Sequence, residues 1–412
     1  MSTAPLRLYH GLTALAPWLL GYAARKAHAK QGAEPARLGE RFGKTNLERP
    51  LGPLIWLHAA SVGEVQSMSA LAPLLAARAN LLVTTTTQTG ANRAKDVMPR
   101  ATLHQFLPVD TAQAVEQFLD HWQPDLALFA EGDVWPRMST SLAKRHVPAA
   151  LLNARASRSR SRFPSTSRTL LAPFKLLTTQ SEEVLSGLAD IGLDPAKLAY
   201  LGDLKAGLPA APAPPEALSV FQTATQGRPV WAAVSTHEAD ETAVLTAQQV
   251  VLAAHPEALL MWLPRHPTRA DLIEAGTSLP LARRSRGEVP DAKTAIYLVD
   301  TLGEAGAAHA TAPLVFLGGS FGANGGHNPY EPARTGAFVL HGPHVANFAA
   351  AYTTLARDGY AAQVTSAAEL GAVVSEKLSA QSERLKPWAD QDSSEAAQRT
   401  FARLEALLRT QP

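Results

Sequence analysis

The chain has 412 residues, 46% of them hydrophobic, enough to bury two cores at roughly 100–200 residues per domain. With 38 Lys+Arg against 36 Asp+Glu, the formal charge of +2 excludes a polycation that coats nucleic acid, and 27 Gly with 30 Pro excludes collagen-like and disordered chains. The absence of cysteine excludes a disulfide framework, a thiolate zinc site, an iron–sulfur cluster and a cysteine nucleophile.

The charge is unevenly spread. Residues 1–50 hold eight Lys/Arg and three acids, a net +5, which leaves about −3 for the remainder. Within this segment, LYHGLTALAPWLLGYAA at 8–24 is apolar but broken by His10, Gly11, Pro17 and Gly21. A spanning helix needs about 20 largely apolar residues, and an export signal needs a small-residue cleavage site where Arg25-Lys26-Ala27-His28-Ala29-Lys30 stands instead. The stretch reads as a helix in a membrane interface, with Leu8, Leu12, Leu15, Leu19, Tyr9, Trp18 and Tyr22 entering lipid and the basic run meeting anionic headgroups. A helix packed on the protein's own surface is the alternative.

From residue 53 strands alternate with helices, the pattern of parallel βαβ units. Strands are expected at 53–60, 81–86, 103–108, 126–130, 149–153 and 175–179, with helices at 111–122 and 138–145. Val65, Met68, Leu71 and Leu75 recur at helical spacing, in a helix that Pro73 should kink. Residues 206–229, rich in Pro and Ala, read as a linker. The rhythm then restarts, with strands at 230–234, 259–263, 295–299, 314–317 and 337–340, helices at 240–254 and 268–275, and an amphipathic helical tail at 376–408. The expected division is a membrane-associating segment at 1–35, an α/β domain at 36–205, the linker, and a second α/β domain with C-terminal helices at 230–412.

Ligands of open parallel sheets sit beyond the carboxyl ends of the strands, and the residues there are distinctive. Glu64 follows Ser61-Val62-Gly63, and Glu131 follows the strand at 126–130. Both are acid/base candidates, although the helix dipole alone also favours a glutamate in a first turn such as Glu64. In the second half the strand ends carry STHE at 235–238, PRHP at 264–267, GGS at 318–320 and GGHNPYEP at 325–332. Arg265 and the amides of Gly318, Gly319, Gly325 and Gly326 suit a phosphate, and Glu331 suits a helix start or a ribose diol. His237, His266 and His327 share no ligand spacing such as HxxxH, so no metal site is expected. A carboxylate in one half and a phosphate site in the other is the logic of a two-lobed group transferase.

These motifs resemble the 3-deoxy-D-manno-octulosonic acid (Kdo) transferases of lipopolysaccharide assembly. The resemblance runs through GERFG (39–43), SVGEV (61–65), TTTTQTG (84–90), LPVD (107–110), Glu131 with Trp135-Pro136, NARAS (153–157) and GDLK (202–205). It continues through STHE, PRHP, DTLGE (300–304), GGS, GGHNPYEP and GPHVANF (342–348). It departs at Asp133, where the family often has Glu, at Tyr330, where a smaller apolar residue is common, and at Ala130, usually a larger aliphatic residue.

The resemblance implies an α/β GT-B glycosyltransferase fold, two Rossmann-like domains facing across a cleft. It implies CMP-Kdo as donor, bound mainly by the C-terminal domain. The implied acceptor is the acylated glucosamine disaccharide precursor of lipid A, at the cytoplasmic face of the inner membrane. The family's proton acceptor falls on Glu64 and its two transition-state groups on Glu131 and Lys205. Its CMP contacts fall on Pro264 and Arg265, on Leu302, Gly303 and Glu304, and on Asn328, Pro329, Tyr330 and Glu331, with only backbone contact carried to Tyr330. No metal, cofactor or nucleic-acid partner is implied. A nucleotide-sugar epimerase of the same fold and a catalytically silent membrane scaffold are the alternatives.

Overall fold

The computed structural model describes residues 3–409 except Ala16, Asp133, 207–212, Gln226, 381–383 and 390–392. The described chain forms two compact units, one within Met1–Leu208 and Asp390–Pro412 and the other within Pro209–Ala389.

The first unit is built on a seven-stranded parallel sheet: β1 (Leu54–His58), β2 (Asn80–Thr85), β3 (Leu103–Phe106), β4 (Leu126–Ala130), β5 (Ala149–Ala154), β6 (Leu176–Thr179) and β7 (Leu198–Tyr200). Their order is β3-β2-β1-β4-β5-β6-β7. Helices cover both faces, so β1 and β4 are buried throughout and apolar apart from His58. Side chains of alternate residues then enter opposite cores: Ile55, Leu57 and Leu128 join one, Trp56, Ala127 and Phe129 the other.

The second unit repeats the plan with β8 (Val230–Thr236), β9 (Leu259–Pro264), β10 (Leu281–Arg283), β11 (Ile296–Leu298), β12 (Leu314–Leu317), β13 (Phe338–His341) and β14 (Ala361–Gln363), in the order β10-β11-β9-β8-β12-β13-β14. The fully buried indoles of the central strands, Trp56, Trp231 and Trp262, find acceptors. Trp56 Nε1 donates to Thr84 Oγ1 at 2.9 Å, Trp262 Nε1 to Thr236 Oγ1 at 2.8 Å and Trp231 Nε1 to Gln248 Oε1 at 2.7 Å.

Several expectations change. The strands that sequence periodicity does not reveal, β7, β10 and β14, are three residues long and lie at sheet edges. Pro73 does not kink one helix; the chain forms two, Val62–Met68 and Ala72–Ala76, with the proline in the first turn of the second. The expected linker contains a helix, Pro215–Thr225, that buries Phe221, while 207–212 lie outside the described residues. The tail is not one helix but Ala367–Ser379 and Ser393–Arg409. The latter does not belong to the second domain: Ala396, Ala397 and Leu404 complete a core of the first sheet.

The N-terminal segment forms helices Ala4–Leu15 and Pro17–Lys30. Leu8, Leu12, Trp18, Leu19 and Tyr22 are exposed, and Leu15 is 84% exposed. Tyr9, expected in lipid, instead turns inward and donates to Asp110 Oδ2 at 2.8 Å. On the same inner face Arg137 Nε donates to Thr13 Oγ1 at 2.6 Å. No described helix is long and apolar enough to cross a membrane.

The cores also enclose uncharged imidazoles. Burial lowers His58 to about 4; burial, then Arg37 and Arg41, lower His104 to about 3. His309, whose ring nitrogens have no hydrogen-bond partner among the described residues, is lowered to about 3 by burial and then by Arg384. Unfolding restores each to its ordinary value of 6.5, so below that pH the unfolded chain binds more protons and stability falls. Between pH 6.5 and 5 this costs about 2 kcal/mol per imidazole. His309→Leu is therefore expected to reduce the acid sensitivity of the urea midpoint between pH 7 and pH 5; an unaltered pH dependence would contradict it.

Candidate active site

In the first domain the strand order reverses direction between β1 and β4, and a crevice outside the carboxyl ends is expected there. β1 leads into the helix Val62–Met68, whose N-cap Ser61 accepts from Glu64 N. The buried Glu64 carboxylate folds back so that Oε2 accepts the Ala60 N–H at 2.6 Å. A Cβ at Gly63 would meet nothing within 4 Å, so internal packing does not require glycine beside this carboxylate.

β4 ends at Glu131, held at φ +59° by the Leu152 carbonyl, which accepts its N–H at 2.8 Å, and by Arg155 N, which donates to its carbonyl at 3.1 Å. Such a left-handed conformation costs a non-glycine residue about 1 kcal/mol or more. It aims the side chain at Lys205, whose Nζ lies 2.7 Å from Oε1, both groups almost wholly enclosed. The lysine arrives by a return of the chain after β7. Asp203 Oδ1 accepts both Lys205 N at 2.9 Å and Asn153 Nδ2 at 3.0 Å, and Asn153 Oδ1 accepts Leu204 N at 3.1 Å. The NARAS and GDLK motifs thus interlock. Burial pushes the Asp203 carboxyl up, against the opposing pull of Lys205. Asn153 and Asp203 are missing from the expected site residues; their presence in the two motifs was the available signal.

In the second domain the reversal lies between β8 and β12. Their ends approach so closely that a Cβ at Gly318 would fall 2.5 Å from Thr236 Cα. Three of the four glycine amides expected to cradle a phosphate, those of Gly318, Gly319 and Gly326, are already engaged. Gly318 N donates to Val234 O at 2.9 Å and Gly326 N to Gly319 O at 2.8 Å. The fully buried Asp240 accepts from His237 N at 2.8 Å, Gly319 N at 2.7 Å and Phe321 N at 3.0 Å. These glycines serve close backbone approach, and Asp240 occupies the place assigned to a ligand anion.

Arg265 fits its assignment better. It follows Pro264, the last residue of β9, its backbone N–H donates to Thr236 O at 2.9 Å, and its exposed guanidinium makes no ion pair among the described residues. After β11, Leu302 is exposed and Gly303 turns at φ +85°, while the Glu304 carboxylate is engaged by Arg284 Nη2 at 2.9 Å and by Thr301 Oγ1. In the last motif, Asn328 Oδ1 accepts Tyr330 N at 3.1 Å, and Asn328 Nδ2 donates to Glu331 Oε1 at 3.4 Å; Pro329 leads into the short helix Tyr330–Ala333. The Tyr330 ring is buried and stacked on Trp388 at 4.8 Å, and its carbonyl accepts Arg334 N at 3.0 Å.

Three imidazoles distant in sequence converge here. The His237 and His327 rings stack, one donating to the other with their Nε2 atoms 3.0 Å apart, and His266 lies edge-on to His237. Burial, then His237 and Arg265, lower His327 to about 4, and burial lowers His237. Among the described residues no group of three His, Asp or Glu side chains is arranged to hold a metal ion.

Other motif residues are structural. Glu40 Oε2 accepts Phe106 N at 2.7 Å, and the Arg37 and Arg41 guanidiniums lie 4.6 and 4.2 Å from the Phe106 ring. Asp110 accepts Arg137 N and Met138 N at the start of the helix Pro136–Lys144. Asp133 lies outside the described residues.

Residues 36–208 match the 3-deoxy-D-manno-octulosonic-acid transferase (Kdo transferase) family. The chain is 33% identical over 370 residues to the 3-deoxy-D-manno-octulosonic acid transferase of Bordetella pertussis, covering 85% of each chain. It is 32% identical over 325 residues to that of Haemophilus influenzae, covering 76% of each. In fold it is similar to the UDP-GlcNAc 2-epimerase of Methanocaldococcus jannaschii, with a TM-score of 0.60 at 12% identity over 85% of this chain and 99% of that one. The two parallel-sheet domains are those of the GT-B class.

Removing one partner of a buried ion pair strands the other, at a cost of about 3–5 kcal/mol. Lys205→Met is expected to lower the stability of the first domain in urea, and Glu131→Gln combined with Lys205→Met to restore most of it. Equal loss in the single and double variants would show that the pair is not the cause.

Proposed function

This chain belongs to the 3-deoxy-D-manno-octulosonic acid transferase family, and on that premise we propose that it moves Kdo from CMP-Kdo to the 6′ hydroxyl of the lipid A precursor, lipid IVA, with inversion at C2 of Kdo. The observation that carries this reading is the gathering of Glu64, Glu131 and Lys205, three enclosed ionisable groups, at the carboxyl edge of one parallel sheet. Enclosure strengthens electrostatic interactions at a reacting centre.

Glu64 accepts the proton of the attacking hydroxyl, and CMP leaves from the opposite face through a transition state of oxocarbenium character. The Ala60 amide, bonded to Glu64 Oε2, fixes the carboxylate's orientation for this step. Glu131 and Lys205 act as the transition-state pair, Lys205 countering negative charge and Glu131 holding the ammonium in place. Pro264, Arg265, Leu302, Gly303, Glu304 and 328–331 form the CMP site; Arg265, unpaired among the described residues, meets the departing phosphate. This scheme calls on no divalent metal.

The same reading places the enzyme on the cytoplasmic side of the inner membrane. Leu8, Leu12, Leu15, Trp18, Leu19 and Tyr22 form an exposed apolar stretch followed by Arg25, Lys26 and Lys30, the composition of an interfacial attachment. The N-terminal helix is held to its domain through Tyr9 and Thr13, so those apolar side chains remain outward. A nucleotide-sugar epimerase shares the fold at 12% identity, whereas family membership and the N-terminal segment favour transfer to a lipid.

Incubating the protein with CMP-Kdo and lipid IVA and weighing the lipid product tests transfer and counts the sugars added. Glu64→Gln is expected to retain CMP-Kdo binding and to lose at least 100-fold in transfer, the scale of a missing general base; a wild-type rate would remove the assignment. Arg265→Ala is expected to weaken CMP binding at least tenfold, as loss of a charge-assisted contact does. Unchanged CMP affinity would refute the phosphate role.

A further inference from the structure

The arginines that follow β5 take no part in the chemistry assigned to Glu64, Glu131 and Lys205, yet they begin on the same sheet edge. Residues 155–168 hold Arg155, Arg158, Arg160, Arg162 and Arg168 and no acid. Arg155 is tied to the catalytic strand end, since its backbone N–H donates to the Glu131 carbonyl at 3.1 Å. Its side chain lies over the next peptide, with Nε 3.7 Å from where a Cβ on Gly132 would be.

The short helix Arg158–Arg162, capped by Ser157, returns Arg160 to this place, where its Nη2 donates to the Arg155 carbonyl. Arg160 Nη1 is enclosed without a hydrogen-bond partner among the described residues. Burial, then the like charge of Arg155, lower Arg160 to about 10, so it remains a cation at neutral pH. Among the described residues neither guanidinium meets a carboxylate.

Two adjacent guanidiniums with an enclosed, unused N–H are unfavourable unless an anion joins them. Their planar forks match the oxygens of a phosphate monoester, which two arginines bind through paired, charge-assisted hydrogen bonds. The location selects the source. The pair lies on the domain whose Glu64 receives the acceptor's proton, whereas the donor phosphate is assigned to Arg265 on the other domain.

We propose that Arg155 and Arg160 form an oxyanion pocket beside Glu131 that holds a phosphate group of the acceptor lipid. The pocket orients the acceptor sugar so that its hydroxyl is presented to Glu64, and it makes a phosphorylated acceptor the preferred one. This assignment rests on the acceptor proposed above.

Steady-state kinetics of the full chain in detergent, with CMP-Kdo as donor, test it on two acceptors: lipid IVA and the same lipid stripped of its phosphates. Arg155→Gln and Arg160→Gln are each expected to raise KM for lipid IVA at least tenfold, about 1.4 kcal/mol, and to leave KM for CMP-Kdo where it was. The wild-type preference for the phosphorylated lipid should disappear in both variants. Arg160→Lys, which keeps charge without the fork, should recover part of it.

Equal losses on both lipids would overturn the pocket, and so would unchanged KM for lipid IVA. A rise confined to KM for CMP-Kdo would instead assign the arginines to the donor's own carboxylate. CMP affinity, a property of the second domain, together with the thermal unfolding profile certifies folding. Arg155→Lys supplies the same comparison if the glutamine variant does not fold. Wild-type enzyme that uses both lipids equally well would remove the pocket alone; wild-type enzyme that glycosylates neither would remove the acceptor assignment and the pocket with it.

Discussion

An ammonium and a carboxylate 2.7 Å apart, withdrawn from water, organise the first domain. Neither charge is tolerable alone in such a place, so the chain must deliver both to one point. Glu131 does so from a left-handed backbone at the end of β4. Lys205 does so through a loop that returns from β7 and is fastened by Asn153 and Asp203. Asn153 is itself left-handed at φ +55°, a conformation asparagine accepts more readily than most residues. Two strand ends and one distant loop are thereby locked into a single geometry on the sheet edge that carries Glu64, with the GDLK and NARAS motifs interlocked there.

The second domain uses a carboxylate differently. Asp240 gathers the backbone amides of His237, Gly319 and Phe321, so one buried side chain sews the end of β8 to the loop after β12. Glycine at 318 is imposed by the neighbouring strand rather than by a ligand. With these amides engaged, the cation offered at this end of the sheet is Arg265, which stands exposed after β9. The imidazoles of His237, His266 and His327 pack together at the same end, with burial lowering the pKa of His237 and His327.

At the N-terminus the two faces of one helix are separated by function. Tyr9 and Thr13 face Asp110 and Arg137 and hold the helix to its domain, while Leu8, Leu12 and Leu15 point outward. An apolar face this exposed is unfavourable in water and asks for a covering surface. Counting rings and leucines in the segment does not separate these roles; Tyr9 scores as lipid-facing until its partner, Asp110, a hundred residues on, is brought beside it.

Much of the architecture was legible in the residue order. Apolar runs such as LIWLH and LALFA, each followed by a turn and a helical period, specify strands buried on both faces and hence parallel sheets. The three-residue strands at the sheet edges, β7, β10 and β14, were not legible, because so short an edge strand carries no period and its pairing is settled by its one neighbour, whereas the equally short β11 lies inside the sheet within a longer apolar run. Motifs at strand ends marked Glu64, Glu131 and Arg265, since local chain direction alone puts such residues at a carboxyl edge, whereas Lys205 was marked only by the family resemblance of GDLK. Long-range contacts settled the remainder: that Lys205 meets Glu131, that Asp240 rather than a ligand fills the glycine loop, that three remote histidines touch, and that the last helix completes the first domain's core. Periodicity and turn chemistry are properties of neighbours in the chain, whereas the pairing of buried charges and amides depends on which distant groups are excluded from water together.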